Sequence, residues 1–137
     1  MQSATMDRRK DGVILLARIL LMILFIPFGW EKMIHFSGTE ALMAQLGLPL
    51  PLLAAIIAVV MELPVGIAIA VGIYTGRLAV LLAIYTLAAG FIGHHYWTMA
   101  GAERMANMIN FYKNIAICGG LLLLWVTGAG KYSLDKR

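Results

Sequence analysis

Apolar residues run in four long blocks, at about residues 13–30, 52–72, 78–97 and 108–127, with short polar breaks between them. Each block comes close to or reaches the roughly 20 apolar residues that a helix needs to cross a bilayer. Each is apolar around its whole circumference, the pattern of a lipid-facing or deeply buried helix and not of an amphipathic surface one. The longest connection, residues 31–51, ends in Leu48-Pro49-Leu50-Pro51, where proline is pre-set to open a helix. Tyr74-Thr75-Gly76-Arg77 is a tight turn, and residues 98–107 join the last two blocks. Short links make successive helices antiparallel neighbours. The pattern therefore predicts an all-α integral membrane protein, an antiparallel four-transmembrane-helix bundle forming one domain over residues 1–137.

Composition sharpens this. Hydrophobic residues make up 61% of the 137 and charged residues 13%, against roughly 45–50% and 25% in soluble domains. So short a chain has too little interior to hide that excess from water. An ordinary soluble enzyme, a disordered tail and a disulfide scaffold are excluded. The single cysteine, Cys118, leaves no internal disulfide and no two-cysteine redox pair.

The net charge of +4 bears on orientation. Arg8, Arg9, Lys10, Arg77, Lys131, Lys136 and Arg137 fall on one side of the four blocks; Lys32 and Arg104 fall on the other. The excess of Lys and Arg predicts that both termini lie in the cytoplasm. No basic run interleaved with aromatics supplies a nucleic-acid surface. The first block follows a basic segment, but Phe28-Gly29-Trp30-Glu31-Lys32 is no cleavage site, so the first helix is expected to be retained.

Inside the bilayer the rare polar residues carry the information, since a charge near a helix centre costs about 2.5–3.5 kcal/mol. Glu62 lies mid-way along the second block, on one helical face with Ala55, Ala58 and Gly66; small residues there let another helix approach, which turns Glu62 inward. Pro64 frees the carbonyl of Val60 and predicts a kink. Lys113 enters the fourth block beside Asn107, Asn110 and Asn114, a polar wedge that favours an inward Lys113 over one snorkelling to the surface. Arg18 lies about one turn inside the first block and can snorkel. Lys32 stands at that block's outer mouth. His94 and His95 end the third block, and helical geometry turns only one of them, His94, inward beside Gly90 and Ala83. Their spacing is not that of a metal pair, and no metal site is predicted. Tyr96, Trp97 and Trp30 read as an interfacial belt. Glu62, Lys113, Lys32, His94, Asn110 and Asn114 are thus expected to border a polar pocket in the outer half of the bundle, either as helix glue or as a ligand site.

The same residues, taken in order, resemble the DoxX family of small bacterial inner-membrane proteins, and an enterobacterial inner-membrane branch of it. The resemblance rests on Arg18, Phe28-Gly29-Trp30-Glu31-Lys32-Met33, Leu46-Gly47-Leu48-Pro49, Met61-Glu62-Leu63-Pro64 and Gly72-Ile73-Tyr74-Thr75-Gly76-Arg77. It continues through Gly93-His94-His95-Tyr96-Trp97, Asn107-Met108-Ile109-Asn110-Phe111-Tyr112-Lys113-Asn114 and Gly128-Ala129-Gly130-Lys131-Tyr132-Ser133-Leu134-Asp135. It implies a four-span bundle with both ends inside the cell. Some members of the family are linked to redox work, as a thiosulfate:quinone oxidoreductase subunit or in a membrane complex with superoxide dismutase. Three functions follow as expectations. The chain is a redox-associated accessory whose pocket binds a quinone, with Lys113 and His94 on its carbonyls and Glu62 holding a proton; or a non-catalytic anchor for a redox-enzyme partner; or a small-solute transporter, which at this length requires a homo-oligomer. Catalytic residues are not assigned.

Overall fold

The computed structural model describes residues 2–135. Lys136 and Arg137, counted in the charge bias, lie outside the described residues. The described residues form helices and no strands: α1 (Gln2–Ile34), α2 (Phe36–Gln45), α3 (Pro51–Glu62), α4 (Pro64–Val71), α5 (Thr75–Gly93) and α6 (Gly101–Thr127), with a 3-10 turn at Tyr96–Thr98. Four stretches are long and apolar enough to cross a membrane: Thr5–Ile34, Pro51–Val71, Thr75–Thr98 and Gly101–Thr127. The expected four-helix bundle is therefore present. The helices pack as a ring, with α1 against α3 and α4, α4 against α5, α5 against α6, and α6 back on α1.

Two details differ from the expectation and a third meets it. The first and fourth helices start about three and about two turns earlier than their apolar blocks, at Gln2 and Gly101. Polar first turns do not break a helix whose later turns are packed. The long link contains a helix of its own, α2, which packs on α1 and α3. The second span is two helices, broken at Leu63. That break is the kink expected at Pro64, which has no N–H for the turn before it.

The core is thin, as a bundle solvated by lipid requires. Met22, Phe25, Met61, Ile69, Leu82, Leu121 and Leu124 fill it. Large apolar residues such as Leu20, Ile23, Ile57, Ile84 and Leu123 face outward from the spans. Close approach comes from glycine. A Cβ on Gly29 would stand 2.7 Å from the Leu63 amide nitrogen and 2.8 Å from the Glu62 carbonyl carbon. The backbone of α1 therefore rests directly on the α3–α4 break, and only glycine fits there.

After α6 the chain folds back across the end of the bundle that carries both termini. Arg18, expected to snorkel, is instead 1% exposed. Its Nε donates to Ala70 O at 3.1 Å, one terminal nitrogen to Tyr132 O at 2.6 Å and the other to Ala129 O. The correction has a physical cause. A guanidinium has five donors in a rigid fork, and the returning tail offers carbonyls that solvent or lipid would otherwise have to supply. Asp135 completes the strap by accepting from the amides of Tyr74 (2.7 Å) and Thr75 (3.0 Å) at the start of α5. Tyr74 has a positive φ of 48°, a left-handed conformation that a tyrosine adopts at a cost. Burial pushes the Asp135 carboxyl up, but the Thr75 and Tyr74 amides and the nearby Arg18 charge outweigh this and hold it below the ordinary carboxylate value.

Candidate functional site

Glu62 is the last residue of α3, at the break, and is 8% exposed. The break and the Gly29 contact set its surroundings. One turn beyond Gly29 on α1 lies Lys32, whose Nζ donates to Glu62 Oε2 at 2.8 Å. The other carboxylate oxygen, Oε1, accepts from the Tyr85 hydroxyl of α5 at 2.7 Å. One carboxylate thus ties three spans, and each oxygen has a donor. Burial without such partners costs several kcal/mol per ion. Glu62 faces inward as expected, and of the two lysines expected to border its pocket Lys32 is the one it meets.

The triad opens at Lys32. Lys32 keeps 26% of its side chain exposed against 11% for Glu62. It faces a cleft of about 260 Å³ between α1 and α2, lined by Phe28, Lys32, His35, Thr39 and Leu42. The Lys32 ammonium also sits 5.8 Å from the centre of the Phe28 ring. Thr39 anchors α2 by donating to Lys32 O at 3.0 Å.

The other expected site residues lie elsewhere. Lys113, expected to face inward, is exposed; its Nζ donates to Asn110 Oδ1 at 3.0 Å, one turn nearer the end of the helix. That is the snorkelling geometry. The residue that occupies the inward position is its neighbour Asn114, 8% exposed, whose amide donates to Thr86 O at 3.2 Å. Adjacent helical residues diverge by about 100°, so Lys113 and Asn114 cannot both point inward. Asn114 packs on Gly90, where a Cβ would meet it at 3.4 Å. His94 caps α5 and shares a 2.9 Å hydrogen bond with Asn107, while His95 turns to Thr98 at 2.6 Å. The six residues therefore fall into separate groups: Lys32 with Glu62, His94 with Asn107, Asn110 with Lys113, and Asn114 in the α5–α6 seam.

Tyr85 is absent from the sequence-based set. Its signal was a tyrosine in mid-span, away from the block ends where Tyr96, Trp97 and Trp30 mark the interface. Trp30 and Trp97 are indeed exposed, and Trp97 belongs to an aromatic cluster with Phe91, Tyr96 and Phe111.

A ring of four membrane-crossing helices, three of them tied together by a buried carboxylate at a kink, defines a small polytopic membrane protein. Residues 13–95 match the family described as DoxX, and the chain belongs to that family. It is 54% identical over 128 residues to the inner membrane protein YphA of Escherichia coli K12, covering 93% of this chain and 91% of that protein. It is 39% identical to the inner membrane protein YqjF of the same organism, covering 96% and 95%. A more distant likeness, 26% identity, is to the ER-derived vesicles protein ERV29 of Saccharomyces cerevisiae, of which the match covers 35%. No solved structure matches the chain.

Proposed function

We propose that this protein is a redox-associated accessory of the bacterial inner membrane, with both termini in the cytoplasm, and that it holds the head of a quinone at Lys32. One observation carries the reading: a buried carboxylate, held between an ammonium and a phenol, opens through the ammonium onto an amphipathic cleft. Ligand sites of apolar molecules combine such walls with a few placed polar groups. A quinone carbonyl entering beside Phe28 and Leu42 accepts a hydrogen bond from Lys32. Glu62 and Tyr85 behind it supply groups that can hold a proton. His94, Asn110, Asn114 and Lys113 are not needed for this contact. The inner-membrane relatives support the location, and the uneven distribution of Lys and Arg supports the orientation.

A second reading is favoured by one fact: both oxygens of Glu62 already have protein donors. The bundle closes without a ligand, as a non-catalytic anchor for a partner enzyme would. Purified protein separates the two. A short-tailed quinone should raise the melting temperature in a concentration-dependent way. Leu42→Trp, which fills the cleft and leaves the triad intact, should blunt that rise. If no shift occurs up to the solubility limit, and mass spectrometry finds no co-purifying quinone, the anchor reading stands.

A further inference from the structure

A second cleft, of about 530 Å³, opens at the end of the bundle that carries both termini. Asp7, Lys10, Asp11 and Ile14 line it from α1, and Gly130, Lys131 and Asp135 from the returning tail. Its shape depends on the strap. Asp11 Oδ1 accepts from the Lys131 amide at 3.0 Å and holds the tail beside α1. A Cβ on Gly130 would meet Ile14 at 3.1 Å.

Three of the five charges in this cleft are unspent, while Asp11 and Asp135 accept backbone amides. Among the described residues, the carboxylate of Asp7 and the ammoniums of Lys10 and Lys131 make no hydrogen bond or ion pair. Asp7 and Lys10 are three residues apart, a spacing at which helical neighbours ordinarily pair. Both signs are presented to one space without cancelling each other.

The depth of the cleft points to its occupant. The first span covers 30 residues, about 45 Å at 1.5 Å per residue, against a hydrocarbon core of about 30 Å. Its ends therefore stand in the head-group layers. Val13 and Leu16, 64% and 57% exposed, lie just beyond the cleft on the lipid side. Phosphate and amine groups of the bilayer are thus at high local concentration at the level of Asp7 and Lys10.

We propose that this cleft binds the head group of a phospholipid carrying a primary ammonium and a phosphate. The ammonium donates to Asp7 and to the free oxygen of Asp11. The phosphate lies between Lys10 and Lys131, and the acyl chains leave past Ile14. A primary ammonium has three N–H donors for these carboxylates; a quaternary one has none, and a glycerol head brings no positive charge.

The test is lipid retention. Full-length protein in mild detergent is exchanged with equal amounts of phosphatidylethanolamine, phosphatidylcholine and phosphatidylglycerol of identical chains, and retained lipid is counted by native mass spectrometry. Phosphatidylethanolamine should be retained over both others. Asp7→Asn should reduce its retention roughly threefold to fivefold, the loss of one partly solvated charged contact, and bring it level with phosphatidylcholine. Lys10→Met should weaken retention of all three. Both residues are exposed, so neither change threatens the fold. Equal retention of the three lipids by the wild type would overturn the proposal, as would a preference that survives in both variants. Displacement of the lipid by millimolar soluble phosphoethanolamine would show a site for a free zwitterion and refute the membrane source.

Discussion

Removing Lys32 should expose how the buried carboxylate is held. Lys32→Met leaves Glu62 with the Tyr85 hydroxyl alone. Breaking one side of a buried ion pair costs about 3–5 kcal/mol. Lys32 retains a quarter of its side chain exposed, so the loss should fall at or below the lower end of that range, about 2–3 kcal/mol. Glu62→Gln keeps an acceptor for Tyr85 and should cost less than Glu62→Ala. In the double variant, Glu62→Gln with Lys32→Met, no unpaired charge remains. The double variant's loss should then fall short of the sum of the two single losses by about 2 kcal/mol. The assay is reversible unfolding in detergent by SDS titration, run on the wild type, both single variants and the double. Lys113→Met provides the contrast. Its ammonium meets Asn110, not Glu62, so it should add to Glu62→Gln within about 0.5 kcal/mol. Additive losses for Lys32 and Glu62, or strong coupling between Glu62 and Lys113, would refute the assignment of the pair.

Three further outcomes follow from the structure. Gly29→Ala should destabilise by about 1–3 kcal/mol, as overpacking does, because its methyl would meet backbone atoms at 2.7 and 2.8 Å that cannot step aside; unfolding in detergent measures it. Arg18→Met should cost at least about 3 kcal/mol and release the tail, seen as faster hydrogen exchange at residues 128–135; Arg18→Lys should not rescue it, since one ammonium cannot reproduce the fork that meets Ala70, Ala129 and Tyr132. Asp135 has a folded pKa lowered below the ordinary value. Its contribution is complete above the unfolded value of about 3.9 and is lost as pH falls through the folded one. Hydrogen exchange at residues 128–135, divided by the intrinsic rate at each pH, should stay flat from pH 7 to about 4 and rise below that, and Asp135→Asn should remove the dependence.

Hydrophobic patterning alone was enough for four spans and their neighbours, because apolar length and short links leave few alternatives. It was also enough for an inward Glu62 and a kink at Pro64, since small residues on one face and a missing N–H act through local geometry. Partners were another matter. Glu62 could be charge-balanced by either Lys32 or Lys113 from the sequence; Gly29 decided it, by seating α1 on the α3–α4 break and bringing Lys32 within 2.8 Å. Tyr85 joined them because α5 presents it at the same level. Lys113 and Asn114 compete for one inward position, and the space beside Gly90 admits the short amide. Arg18 at one end of the sequence and residues 129–135 at the other gave no hint of each other. A guanidinium recognises backbone carbonyls, which every residue carries, so residue type does not announce the pairing. Only the returning chain, folded across the end of the bundle, brings those carbonyls to the buried guanidinium that needs them.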